Sequence, residues 1–415
     1  MTSAVWHPFT QHGLCEPIPQ VERAEGAVLF TSDGARVIDA ISSWWVTTHG
    51  HSHPRIVAAI ADQAQRLDQL IFAGWTHEPA ERLARDLVAL MPDPLAHVFF
   101  SDSGSTAVEV ALKMALGFWA NRGEPRHRLL VMEHSYHGDT IGAMSVGARG
   151  VFNQPYEALL FDVGTVPFPA ARREQATLDA LEAACRADKV AAFIVEPLLL
   201  GAGGMLVYPA WVLAEMRAIC AAHGVLFIAD EVMTGWGRTG TLLACEQAGI
   251  VPDLLCLAKG LTGGSLPLAV TMATPAIFEA HWSTDRARQF FHSSSYTANP
   301  IACAAANANL AIWRDEPVMA RIADLAARQG AGLAMLTNLP GISNPRQCGT
   351  ILAVDVHAGS DAGYLADIAP RLLARFREQG VLLRPLGNTV YVMPPYCITQ
   401  QDLTRVHAVI AEAAR

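Results

Sequence analysis

The sequence predicts an α/β fold, with a large domain built on a mostly parallel sheet flanked by helices and a smaller α+β domain beside it. Three observations predict it. Short, wholly apolar runs such as Ala191 to Val195, Val225 to Ala229 and Leu254 to Leu257 have the composition of strands buried on both faces. Segments of helical periodicity stand between such runs, which is the alternation of a parallel sheet with crossover helices. From about Ile301 the pattern changes to a long alanine-rich helical stretch followed by alternating strands and helices. A chain of 415 residues is also too long for one ordinary core.

Taken in order, an arm rich in Pro and His runs to about Gln20. Two short strands follow, near Ala27 to Thr31 and Arg36 to Asp39, with Asp33-Gly34 as the hairpin turn between them. Pro54 to Leu70 and Pro79 to Leu90 repeat their apolar residues at helical spacing. Val98 to Phe100 reads as a strand, Ala107 to Trp119 as a helix and Leu129 to Met132 as a strand. Ala191 to Val195 is followed, after a glycine-rich loop, by a helix from about Ala210 to His223. Val225 to Ala229, Leu254 to Leu257 and Ala269 to Ala273 complete the strands of the large domain. Beyond the helix that begins at Ala302, Thr350 to Val356 and Thr389 to Met393 read as strands of the small domain. The expected division is residues 1–50 as an arm and strands that join the small domain, 51–300 as the large domain and 301–415 as the small one.

Composition narrows the class. About half the residues are hydrophobic, so there is apolar surface enough for a large core and no case for disorder. The net charge of −9 comes without any basic block, which argues against nucleic acid as a partner. No apolar run reaches membrane-spanning length, and Met1 to Gln11 has neither the charged nor the apolar region of a signal peptide, so no membrane partner and a cytoplasmic location are expected. Eight cysteines are scattered with no Cys-x-x-Cys pair, as suits a reducing compartment, and Cys220, Cys245 and Cys256 read as small core residues.

The chemistry-bearing residues stand where apolar runs end. Ser101-Asp102-Ser103-Gly104-Ser105-Thr106 follows a strand and opens a helix. Its glycine, hydroxyls and free N–H groups suit a phosphate, and equally a plain serine cap. His134-Ser135-Tyr136-His137-Gly138-Asp139 follows the next strand and offers either an aromatic ring to a cofactor or a polar turn. Glu196-Pro197 ends another strand and leads to Gly201-Ala202-Gly203-Gly204, which reads as backbone packed close to a ligand or as a turn. Glu109 and Lys113 have the spacing of a structural ion pair. His49, His51 and His53 alternate as metal ligands would, but Gly50 and Pro54 favour a loop and no carboxylate or cysteine stands at ligand spacing, so no metal is expected.

Two further strand ends define one reaction type. Val225 to Ala229 runs into Asp230, and Leu254 to Leu257 runs into Ala258-Lys259-Gly260, with Lys259 twenty-nine residues after Asp230. In open α/β sheets ligands bind beyond the carboxyl ends of the strands. A lysine and an aspartate at that edge are what pyridoxal phosphate requires: the amine holds the aldehyde as a Schiff base, and the carboxylate keeps the pyridine nitrogen protonated.

Over essentially its whole length the chain resembles the class III aminotransferases, within the fold-type I pyridoxal-phosphate-dependent transferases. The motifs that carry the resemblance are Trp6-His7-Pro8-Phe9-Thr10-Gln11, Ser42-Ser43-Trp44-Trp45, Asp102-Ser103-Gly104-Ser105 and Tyr136-His137-Gly138-Asp139-Thr140. Ala229-Asp230-Glu231-Val232, Gly237-Arg238-Thr239-Gly240, Lys259-Gly260-Leu261-Thr262-Gly263-Gly264 and Arg384-Pro385 complete the set. The resemblance implies that Lys259 is the Schiff-base lysine and proton shuttle and that Asp230 pairs with the pyridine nitrogen. It implies that Gly104 and Ser105 bind the phosphate and that Tyr136 stacks on the ring and meets substrate. Trp44 and Phe9 would line the substrate pocket, and Arg384 would meet a keto-acid carboxylate. Ser295, in His292 to Thr297, would reach the phosphate of a neighbouring subunit in a homodimer with shared active sites. The biotin-synthesis branch of the family is the nearest in pattern, which implies 8-amino-7-oxononanoate and S-adenosylmethionine as substrates. Three departures, Phe9 for a common tyrosine, Ser293-Ser294-Ser295 for Gly-Pro-Thr and Leu200 for glutamine, bear on the amino donor. The competing readings are an ω-amino acid or diamine aminotransferase, a histidine-rich metal hydrolase on His49, His51, His53, His134 and His137, and a silent binding protein. Trp44-Trp45 disfavours the first, and Lys259 with Asp230 disfavours the last.

Overall fold

A computed structural model describes residues 4–187, 189–357 and 363–414. Its centre is a seven-stranded sheet. The strands of the chain are β1 Val21–Glu25, β2 Val28–Thr31, β3 Arg36–Asp39, β4 His97–Ser101, β5 Arg128–Met132, β6 Gly164–Val166, β7 Val190–Val195, β8 Leu199–Leu200, β9 Leu206–Val207, β10 Leu226–Asp230, β11 Leu254–Leu257 and β12 Ala269–Ala273. β13 Ile342–Cys348, β14 Ile351–Val356, β15 Val381–Leu382 and β16 Thr389–Val392 follow. The large sheet has the order β4-β12-β11-β10-β7-β5-β6. β12 is antiparallel to both β11 and β4, and the remaining pairings are parallel. The carboxyl ends of β4, β5, β7, β10 and β11 therefore share one edge.

Burial explains why these runs are strands. Every residue of β7, β10, β11 and β12 is buried, because helices cover both faces of the sheet. The helix Gly104–Asn121 lies on one face, with Val108, Ala111 and Ala115 fully buried against Ile194 and Cys256. Helices Glu174–Ala187 and Ala210–Ala222 cover the other face around Phe193 and Phe227. Those two rings meet edge to face at 5.9 Å between centroids. Burying each contributes roughly 1.5–3 kcal/mol. Cys220, Cys245 and Cys256 are buried in this core, as their apolar neighbours predict.

Past the large sheet come the long helices Pro300–Asp315 and Val318–Thr337 and a three-stranded sheet, β13-β14-β16. A four-stranded sheet, β1-β2-β3-β15, pairs the N-terminal hairpin with Val381 and Leu382. The short strands β8, β9 and β15 lie outside the sequence reading, as do β1, β6 and β13. β1 is almost wholly exposed and charged, and β6 has three residues. β13 is an edge strand holding Pro345 and a register shift between Ser343 and Arg346. Proline and polar alternation hide an edge strand from a search for apolar runs. The helix predicted from Ala107 begins at Gly104, because Ser103 and Thr106 form a reciprocal capping box.

Candidate active site

The shared sheet edge brings the strand-end segments to one cavity of about 490 Å³. Lys259 lies just beyond β11, at the head of a short 3-10 turn, Lys259–Thr262, with φ of 46°. A non-glycine residue in that region costs about 1–3 kcal/mol and persists only where its surroundings hold it. The turn aims the amine into the cavity, where Nζ sits 5.0 Å from the centroid of the Trp45 ring. Burial pushes the amine pKa down to about 8, against the pull of the carboxylates Asp230 and Glu196. Desolvation outweighs attraction, so removing the proton near physiological pH costs far less than it does for an exposed lysine.

Asp230 is the last residue of β10, paired in register with Cys256 of β11. Its Oδ2 lies 2.7 Å from Nδ1 of the buried His137, and its Oδ1 accepts the Val232 N–H at 3.1 Å. Two fixed partners set the direction of the carboxylate. Glu196, just past β7, accepts the Tyr136 N–H at 3.0 Å and the Gly201 N–H at 2.9 Å. It thereby ties the aromatic loop to the glycine loop. Burial raises its pKa to about 7, with Asp230 adding to the rise and His137 opposing it. The glycine loop is held from the far side by Arg346 of β13, which donates to the carbonyls of Gly204 at 2.6 Å and Met205 at 2.8 Å.

The phosphate end is equally specific. Ser103 is the helix cap, which leaves the N–H groups of Gly104 and Ser105 facing the cavity at the N-terminus of the helix Gly104–Asn121. The cap and the anion site thus fall on different residues of one motif. A Cβ on Gly104 would lie 2.5 Å from Cγ1 of Val232, and one on Gly138 would lie 2.0 Å from Oγ of Ser105. Ser105 Oγ accepts the Asp139 N–H at 3.2 Å. A buried amine, an oriented carboxylate, an aromatic at Tyr136 and a helix N-terminus in one cavity fit pyridoxal phosphate part for part. Lys259 would hold its aldehyde carbon, Asp230 its ring nitrogen, and Gly104 and Ser105 its phosphate.

The mouth is aromatic with one cation. Phe9 and Trp44 are half exposed, with ring centroids 5.7 Å apart, and Phe152 lies 6.2 Å from Phe9. The Arg384 guanidinium stands 5.5 Å from the Trp44 ring and 6.0 Å from that of Phe9, and donates to the Phe9 carbonyl at 3.0 Å. All four line the cavity. Trp45 turns the other way. It is buried, and its Nε1 donates to the Tyr391 hydroxyl at 2.8 Å.

Some expectations fall elsewhere. Ser295 is exposed, outside this chain's cavity wall, with its carbonyl bonded to the Gln69 side chain. The expected Glu109–Lys113 pair is replaced. Glu109 accepts from Thr140 Oγ1 and from the Gly142 and Ala143 N–H groups, while Lys113 donates to the Phe291 carbonyl. Each charge finds a better-oriented partner off its own helix. The three histidines also separate: His49 bonds Asn309, His51 bonds Asp39, and His53 faces Glu316 at 3.8 Å. Sequence reasoning did not assign roles to His137, Glu196, Trp45, Phe152 or Tyr391. Glu196 carried a signal, since it too ends a fully apolar strand. Phe152 and Tyr391 carried none.

The aminotransferase class-III family model matches residues 12–414. Adenosylmethionine-8-amino-7-oxononanoate aminotransferase of Synechococcus elongatus is 48% identical over 416 residues, covering 98% of this chain and 97% of its own. The enzyme of the same name from Mycobacterium leprae is 37% identical, covering 99% and 94%. Among solved structures, adenosylmethionine-8-amino-7-oxononanoate aminotransferase from Methanocaldococcus jannaschii superposes with a TM-score of 0.94 at 32% identity, covering 99% and 96%. A PLP-bound amine transaminase from an uncultivated Pseudomonas species superposes at 0.92 with 33% identity, covering 99% and 98%.

Proposed function

The chain belongs to the class III aminotransferases, and from that premise we propose that it converts 8-amino-7-oxononanoate to 7,8-diaminononanoate in biotin synthesis, with S-adenosylmethionine as amino donor. It is a pyridoxal-phosphate-dependent enzyme. One observation carries the reading: Lys259 and Asp230 end neighbouring strands and face one cavity that also holds a helix N-terminus and, at its mouth, Arg384. The relatives at up to 48% identity support the substrates.

When bound, the cofactor supplies an electron sink to the substrate carbon. The rest falls to the chain. Lys259, whose pKa burial lowers to about 8, takes and returns the proton at that carbon. Asp230, directed by His137 and the Val232 N–H, keeps a negative charge against the ring nitrogen. Glu196 holds the Tyr136 backbone, and so the ring that covers the cofactor. Arg384 binds the keto-acid carboxylate with its planar fork, and Phe9, Trp44 and Phe152 offer apolar ring surface to the substrate chain beside it.

The division into 1–50, 51–300 and 301–415 belongs to this reading, as do a homodimer and a cytoplasmic location. Exposed Phe291 and Tyr296, on the same segment of chain as Ser295, support a second copy completing the phosphate site. Eight free cysteines suit a reducing compartment. No helix of the described residues is long and apolar enough to cross a membrane.

The test is a half-reaction screen. The yellow holoenzyme is mixed with single amino donors and loss of the cofactor band is followed, with 7,8-diaminononanoate measured once the keto acid is added. S-adenosylmethionine is expected to bleach the band. Bleaching by ω-amino acids or diamines alone would move the chain to the amine transaminase branch, and an active, cofactor-replete monomer would end the shared-site reading.

A further inference from the structure

Asp39 is a fully buried carboxylate that the reaction as proposed does not use. It ends β3, in register with Leu382 of β15, and Arg384 stands two residues beyond Leu382. On its other side the chain enters the turn Ser42–Trp45. One pair of strands therefore presents both the tryptophan turn and the arginine of the mouth.

The turn is strained. Ser42, Ser43 and Trp45 all have φ in the left-handed region, and none is glycine. Such a run costs free energy at each residue and persists only where its surroundings hold it. Asp39 holds it from inside. Its Oδ1 accepts the Ile41 N–H at 3.2 Å, and its Oδ2 accepts the Ser43 N–H at 2.7 Å. Nε2 of His51 lies 2.7 Å from the same Oδ2, and against a carboxylate that nitrogen is the donor. His51 is itself pinned, since its N–H and its carbonyl both bond Gly26, at 2.7 Å and 3.2 Å. Three donors thus fix one carboxylate.

The two tryptophans do not depend on it equally. Trp45 has a second anchor, the bond from its Nε1 to the Tyr391 hydroxyl. Trp44 is placed by the Ser43 peptide before it and by ring contacts at the solvent edge. A loosened turn therefore releases Trp44 first, and with it the ring against which the Arg384 guanidinium stands at 5.5 Å. We propose that Asp39, aimed by His51, is a positioning residue for substrate selection: it holds the Ser42–Trp45 turn so that Trp44 backs Arg384 at the mouth. This rests on the roles of Arg384 and Trp44 given under the proposed function.

Point variants separate this role from mere packing. Asp39→Asn keeps the shape, but whichever way the amide is turned its NH₂ group faces a backbone N–H. His51→Gln keeps a donor near the place of Nε2, and His51→Leu removes it. Asp39→Asn and His51→Leu should raise KM for 8-amino-7-oxononanoate about tenfold and leave kcat within about threefold, while His51→Gln should keep KM within about twofold of wild type. In a Trp44→Ala background, Asp39→Asn should raise KM by less than about twofold more, since the contact it protects is gone. The turn is read apart from turnover by fluorine NMR of holoenzyme carrying fluorotryptophan, with the Trp44 line identified through Trp44→Phe. That line should shift or broaden in Asp39→Asn and His51→Leu and stay in place in His51→Gln. An unmoved line overturns the proposal whatever the substrate. A moved line with unchanged KM, or a KM rise of the same factor in both backgrounds, overturns the link to selection. Should Asp39→Asn fail to fold, the two His51 variants decide the matter by the same readings. If the wild-type enzyme does not transaminate 8-amino-7-oxononanoate, the substrate reading falls and the selection claim with it, and the fluorine line alone decides whether Asp39 holds the turn.

Discussion

At the floor of the cavity, Asp230, Glu196 and His137 are buried and held by short hydrogen bonds, and the partly buried Lys259 is fixed by its turn. At the mouth, Phe9 and Trp44 are half exposed, Arg384 is partly buried, and the three meet through ring faces and one backbone carbonyl across 375 residues of sequence. The floor is costly to build, because each buried charge must be compensated or give up its charge. The mouth is cheap, since water can serve any group left unpaired. On the proposed reading, reaction type is written in the floor and substrate choice in the mouth, and the two should separate under mutation.

The largest effect expected is from Lys259→Ala. The half-reaction rate should fall by about 10⁴-fold, and borohydride reduction with peptide mapping should find no pyridoxyl adduct at residue 259. An adduct on another lysine in the wild type would break the assignment. Asp230→Asn should keep the cofactor and slow both half-reactions by about 10²–10³-fold, read by stopped-flow absorbance. Equal loss in both halves is the signature of the floor.

Arg384→Ala should behave otherwise. Losing roughly 1.5–3 kcal/mol of charged hydrogen bonding raises KM for 8-amino-7-oxononanoate about ten- to a hundredfold, while the donor half-reaction is spared. If both halves weaken alike, the mouth is not selecting by carboxylate. Ser295→Ala should weaken cofactor affinity by only about 1 kcal/mol in the dimer, measured by titrating apoenzyme with pyridoxal phosphate. No change would remove Ser295 from the shared site.

The gentlest perturbation changes no residue. Only a neutral amine is alkylated, and burial holds the Lys259 pKa at about 8 instead of the ordinary 10.5. Reductive methylation of Lys259 in the apoenzyme should therefore rise with pH through a midpoint near 8, ahead of the surface lysines. A midpoint above 10 would mean that the carboxylates of the floor outweigh its dryness.

The same contrast explains what could be read from sequence. Asp230 and Lys259 stand at the ends of apolar runs, and Ser105 opens the helix that follows one, so their place in the fold comes with the local pattern. Glu196 follows one too, yet a glutamate before proline reads as an ordinary loop, and only its two N–H partners reveal its work. His137 sat in a recognised motif, but its bond to Asp230 spans two strands. At the mouth the signal fails. Trp44 and Trp45 are neighbours, and nothing local says which one faces the lysine. The turn decides it: Ser42, Ser43 and Trp45 have φ of 54°, 60° and 66°, which sends Trp45 inward and Trp44 out. Phe152, Tyr364 and Tyr391 arrive from segments with no marked chemistry.

The pairing of β3 with β15 has one more consequence, in the order of manufacture. A chain made from its N-terminus has Lys259, Asp230 and the whole seven-stranded sheet by residue 273. The strand that anchors the N-terminal hairpin, and the arginine that bonds Phe9, come more than a hundred residues later, at 381–384. On the ribosome the lysine proposed for catalysis exists long before the segment proposed to choose its substrate.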